Sequence, residues 1–107
     1  MSVGILMGNA AAVGVASVTL SPAQVNANTT AEQTFTVPGL RVGDCILTVN
    51  KPTAQAGLGI VGYRVSAADT IGITFSNNTG AGITPTASQT YLIGWMRTDA
   101  VQAGVVA

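Results

Sequence analysis

Residues 70–76 read Thr70-Ile71-Gly72-Ile73-Thr74-Phe75-Ser76. Apolar side chains at 71, 73 and 75 alternate strictly with small or hydroxylated ones. A period of two is the mark of a β-strand with one buried and one solvated face. Just upstream, Ser66-Ala67-Ala68-Asp69 has the length of a hairpin loop. Before it, Ile60–Val65 has β character, with Val61, Tyr63 and Val65 expected on one face. Downstream, 77–86 is rich in turn residues, and 90–96 then alternates again with Tyr91, Ile93 and Trp95 on one side.

The same template fits toward the N-terminus. Asp44–Asn50 predicts a strand with Cys45, Leu47 and Val49 facing one way and Ile46, Thr48 and Asn50 the other. Lys51-Pro52-Thr53 ends it, because proline lacks the ladder donor. Gln33–Val37 places Phe35 and Val37 opposite Thr34 and Thr36, while 24–31 reads as a polar turn. Val13, Val15, Val18 and Leu20 predict a strand whose phase shifts near Ser17. No stretch carries apolar residues at helical spacing. The expected fold is all-β: an antiparallel β-sandwich or small barrel of about six to eight strands with an extended N-terminal arm. The expected division is an arm over 1–12 and one β-sandwich domain over 13–107, with the tail 99–107 serving as an edge strand or a second arm. No Lys or Arg precedes Arg41, and Gly4, Gly8, Asn9 and Gly14 interrupt the apolar start. Neither a secretory signal nor a membrane span is expected there.

Composition narrows function. Only 7% of the 107 residues are charged, against about 25% in an ordinary soluble domain. Four basic residues balance four acidic ones, so no surplus exists to neutralise phosphates. With no His and one Cys, one chain cannot assemble a zinc site or a His-activated nucleophile. A nearly uncharged Thr-rich β-surface also leaves its sheet edges without the Lys and Glu that normally guard them. Such a chain is expected to associate, with itself or with a larger assembly. In the arm, Val3, Ile5, Leu6 and Met7 are the candidate partner-binding residues.

The remaining chemistry is sparse. Asp44 and Asp69 each follow an Arg-Val pair and open a strand, in partly matching segments at 39–44 and 62–69. Each is expected to cap its turn by accepting backbone N–H bonds, with Arg41 and Arg64 as candidate ion-pair partners. Two carboxylates flanking a glycosidic bond would be the catalytic alternative, and turn capping explains both more simply. Trp95, Tyr91 and Tyr63 are the candidates for a sugar-stacking platform, although Trp95 alternates with Ile93 as a core residue would. Cys45 reads as a small buried hydrophobe. Gly57-Leu58-Gly59 lacks the following Lys and helix of a phosphate loop. No catalytic residue, metal ligand or cofactor site is assigned.

Over more than half of its length the chain resembles a known group. The segments are Thr-Thr-Ala-Glu-Gln-Thr-Phe-Thr-Val (29–37), Val-Asn-Lys-Pro-Thr (49–53), Gly-Leu-Gly-Ile (57–60), Arg-Val-Ser-Ala-Ala-Asp-Thr (64–70), Ile-Thr-Phe-Ser-Asn (73–77) and Ile-Thr-Pro-Thr-Ala (83–87). They are similar to small all-β structural proteins of tailed bacteriophages, of the capsid decoration (cement) or head-fibre type. The matching motifs mark strands and turns. The resemblance implies a non-enzymatic virion protein on the capsid surface that stabilises the head as a homo-oligomer, a trimer by expectation. Its implied partners are further copies of itself and the major capsid protein, with no nucleic acid and no membrane. The alternative within this group is a fibre or spike module that binds host-surface glycans.

Overall fold

The computed structural model describes residues 10–98. Six strands follow one another along the chain: β1 (Ala10–Leu20), β2 (Thr29–Thr36), β3 (Cys45–Asn50), β4 (Leu58–Ala67), β5 (Thr70–Asn77) and β6 (Gln89–Thr98). They form two three-stranded antiparallel sheets, ordered β1-β6-β3 and β2-β5-β4. The architecture is an open all-β sandwich without a closed barrel. Of the connections, only β4–β5 stays within a sheet. Its turn is two residues long, with Asp69 at φ 56°. Every other connection carries the chain across to the opposite sheet.

The last two strands are the central ones, and they hold the core. Ile71, Ile73 and Phe75 of β5 face Tyr91 and Ile93 of β6, all fully buried. Leu20, Ile46 and the loop residues Val25, Val37 and Leu40 complete the cluster. Central strands are covered on both edges, so their alternation is undisturbed and their sequences read cleanly.

Of the edge strands, β2 follows the reading, with Phe35 and Val37 inward and Thr34 and Thr36 outward, while β1, β3 and β4 depart from it. In β3 a bulge lies between Ile46 and Thr48. The extra residue flips the phase, so Ile46 and Val49 both reach the core while Cys45 and Leu47 are exposed. Cys45 is therefore not a buried hydrophobe. In β4, bulges lie between Ile60 and Gly62 and between Val65 and Ala67. Ile60 and Val65 pack against the core and Val61 is exposed. Tyr63 stands opposite Ile73 but remains 40% exposed. In β1 the phase does not shift at Ser17. Its inward positions are Ala12, Gly14, Ala16, Val18 and Leu20, and Val13 and Val15 point outward. The cause is room: Gly14 is paired with Trp95, and no larger residue fits beneath that ring. Strand β1 also begins at Ala10, three residues inside the expected arm.

The polar stretch 24–31 is more than a turn. Val25 is buried and bridges Ile83, with backbone bonds of 2.8 and 3.0 Å in the two directions. Thr29–Ala31 belongs to β2. Asn77, the last residue of β5, locks the following loop. Its side-chain amide donates to the Val25 and Ala81 carbonyls at 3.0 and 2.8 Å. Its oxygen accepts from the Thr79 backbone N–H and hydroxyl at 2.9 and 2.7 Å. Every polar atom of this buried side chain is thereby satisfied.

Candidate interaction surface

The two outer faces of the sandwich differ in chemistry. On β1-β6-β3, register places Val13 beside Met96 and Cys45, Val15 beside Gly94 and Thr48, and Ser17 beside Leu92 and Asn50. Gly94 leaves an open position over which Leu47 and Thr48 lean, 3.8 and 3.0 Å from where its Cβ would stand. Val13, Val15, Leu47 and Leu92 are 66, 69, 49 and 41% exposed. No charged residue points outward from these three strands.

The outer face of β2-β5-β4 is mostly polar, with Val61 of β4 its exposed aliphatic exception. Thr30, Glu32, Thr34 and Thr36 of β2 lie beside Ser76, Thr74, Gly72 and Thr70 of β5. Arg64 of β4 reaches across Gly72 to Glu32 with two hydrogen bonds, 2.8 and 2.9 Å. That pairing holds the Glu32 carboxyl below the usual range, through the Arg64 hydrogen bonds. Threonines and an ion pair keep water on this face. Valines and leucines on the other face gain by losing it.

At one end of the sandwich, Arg97 ties β6 to the connection between β2 and β3. Its guanidinium donates to both Asp44 carboxylate oxygens, at 2.9 and 2.8 Å, and to the Gly39 carbonyl at 2.9 Å. Its Cζ stands 5.0 Å from the Trp95 ring centroid, within cation–π range. Asp44 also accepts the Arg41 backbone N–H at 2.9 Å. The Arg97 hydrogen bonds hold the Asp44 carboxyl below its usual pKa, against the opposing effect of burial. Asp69 accepts the Gly39 N–H at 2.7 Å. Asp44 thus caps its own turn, as expected, whereas Asp69 caps none of its own turn and reaches the Pro38-Gly39 turn 30 residues back. The expected ion pairs are rearranged: Asp44 joins Arg97 rather than Arg41, and Arg64 joins Glu32 rather than Asp69. A carboxylate held ionised by an Arg fork is a poor proton donor or acceptor near neutral pH.

The aromatic platform does not form. Tyr91 is buried, with its hydroxyl unpartnered. Tyr63 lies in the other sheet and its hydroxyl donates to the Leu47 carbonyl at 3.4 Å. Trp95 is half-buried between Gly14 and Arg97. An open groove of about 540 Å³ at the opposite end is lined by Asn28, Thr29, Thr30, Ser76, Asn77 and Asn78, without a charged group. Among the described residues no three His, Cys, Asp or Glu converge as metal ligands would.

No family model, curated protein or solved structure matches this chain. The arm candidates Val3, Ile5, Leu6 and Met7, like the tail from Asp99, lie outside the described residues. The exposed apolar face was missed in the sequence because Val13, Val15 and Leu47 read as core. One signal was available: small residues Ala12, Gly14 and Ala16 alternate with the valines, and small residues mark the side that faces a bulky neighbour.

Proposed function

We propose that this protein is a non-enzymatic structural component of a phage virion, a decoration (cement) protein that lies on the outer surface of the head as an oligomer. In this reading the face carrying Val13, Val15, Leu47 and Leu92 rests on the major capsid protein, and the Thr-rich face of β2-β5-β4 meets solvent. The observation that carries it is the contrast between these faces: one uncharged, with four exposed valines and leucines, the other mostly hydroxylated and ion-paired. Low total charge and the resemblance to phage structural proteins support the same reading. Apolar burial across neighbouring capsid subunits would supply the stabilisation, and linked copies would add avidity.

The test is co-sedimentation with expanded heads of the phage that encodes the protein. Wild-type protein should pellet with the heads and raise their thermal disruption temperature. Leu92→Lys, which sets a charge in the middle of the apolar face, should remove both effects while the fold persists. Heads that bind neither form would overturn the assignment.

A further inference from the structure

Four strands end a sheet, and three of them are guarded. On β2, Glu32 sits mid-strand, and Gln33 exchanges two hydrogen bonds with the Ala23 backbone, at 2.8 and 2.9 Å. Strand β3 is short, bulged after Ile46, and followed directly by Lys51 and Pro52. Strand β4 carries Arg64 and two bulges. Charge, bulges and proline are the devices that stop a sheet edge from recruiting another strand.

Strand β1 has a bulge between Ala10 and Ala12 and Pro22 beyond its end, but no charge, bulge or proline anywhere within residues 12–20. Residues 12–20 read Ala-Val-Gly-Val-Ala-Ser-Val-Thr-Leu, in unbroken register with β6. That run is about 30 Å of regular edge at about 3.3 Å per residue. Among the described residues, β1 pairs with β6 alone. On alternate residues the backbone N–H and C=O groups therefore point away from β6, with no strand beside them among the described residues.

We infer that β1 pairs antiparallel with β1 of a second copy across a two-fold axis, joining two sheets into one of order β3-β6-β1-β1-β6-β3. A strand meets its own copy in this way because the same groups face each other on both sides. A three-fold ring would instead have to seat β1 on a different edge of the next copy, and each of those edges is guarded. The pairing deepens the oligomeric reading above and sets its order at two, where the resemblance implies a trimer. It also brings both copies of Val13 and Val15 to the middle of one continuous apolar face, twice the area that a single chain presents.

The experiment is native mass in reducing buffer, followed over a dilution series, with amide hydrogen exchange on the same samples. Wild-type protein should run at twice the 10.7 kDa chain mass. Alternate amides within 12–20 should lose protection on dilution. Ser17→Lys sets like charges against each other across the two-fold and should weaken the dimer by about 100-fold or more, with the β circular dichroism unchanged. Leu92→Lys, on the central strand, should keep the doubled mass. A wild-type mass of one or three chains would overturn the inference. So would a dimer that survives Ser17→Lys but not Leu92→Lys, which would mean stacked faces instead of joined edges. Should Ser17→Lys fail to fold, the wild-type exchange pattern decides: β1 amides indifferent to concentration overturn edge pairing. Head binding is a separate readout, and a doubled mass without affinity for heads removes the decoration role alone.

Discussion

Gly14 and Trp95 stand opposite each other on β1 and β6, so close that a Cβ on Gly14 would lie 2.7 Å from Trp95 Cζ2. The contact explains why the inward side of β1 is built from small residues. It also sets the strand's phase, sending Val13 and Val15 to the outer face.

Gly14→Ala should therefore be costly. The indole is rigid, with Arg97 stacked on it, so the ring or the strand must shift. Overpacking of this kind costs about 1–3 kcal/mol, which for a domain of this size lowers the melting temperature by about 5–15 °C. Gly72→Ala is the control. A Cβ there meets only the Glu32 side chain, whose surface ion pair with Arg64 is worth little and must shift aside, and the melting temperature should fall by less than half as much.

Acid should weaken the end of the sandwich where Arg97 binds Asp44. The folded-state pKa of Asp44 is lowered by the Arg97 hydrogen bonds, while its ordinary value is 3.8. A lowered carboxylate pKa adds stability that is complete above the unfolded value and is lost as pH falls through the folded one. Denaturant midpoints measured from pH 6 downward should decline below about pH 4. Asp44→Asn should be less stable at pH 6 and show a shallower decline. Equal slopes in both proteins would remove Asp44 from the acid response.

Asn77→Ala should be among the more damaging polar substitutions. It leaves the Thr79 N–H without its acceptor and takes one of two donors from each of the Val25 and Ala81 carbonyls, which keep the Ile83 N–H and the Thr79 hydroxyl. An unpaired group at such a site costs about 1–3 kcal/mol. Urea unfolding should show a large loss, with faster amide exchange at Thr79. Asn77→Asp, which keeps the acceptor and loses the donor, should recover protection at Thr79 only.

Cys45 should react with a thiol reagent in the native protein, to one equivalent and without a lag. The bulge at Ile46 and Thr48 leaves it exposed on the outer face. Reaction only after denaturant is added would place the β3 phase the other way round. A bulky label there should also reduce head binding, since Met96 and Val13 lie in the same row.

The alternation of residues 71–75 and 91–95 carried the all-β class, the two central strands and most of the core. Period-two patterning is local: each apolar residue on a doubly covered strand meets the opposite sheet, and no distant event alters its phase. Turn chemistry was local at Asp44, which caps its own turn as its position implies; Asp69 instead accepts from Gly39, 30 residues away. Three of the four edge strands were different. Whether Leu47 or Val61 points in depends on a bulge, and a bulge is a relation between two strands. The direction of Val13 and Val15 depends on an indole brought across from β6. The partner of Asp44 lies 53 residues away in the chain, where no spacing rule reaches. The apolar outer face and the open edge of β1 became visible only once these long-range contacts had placed each strand beside its neighbours, because exposure belongs to the assembled surface and not to any one segment.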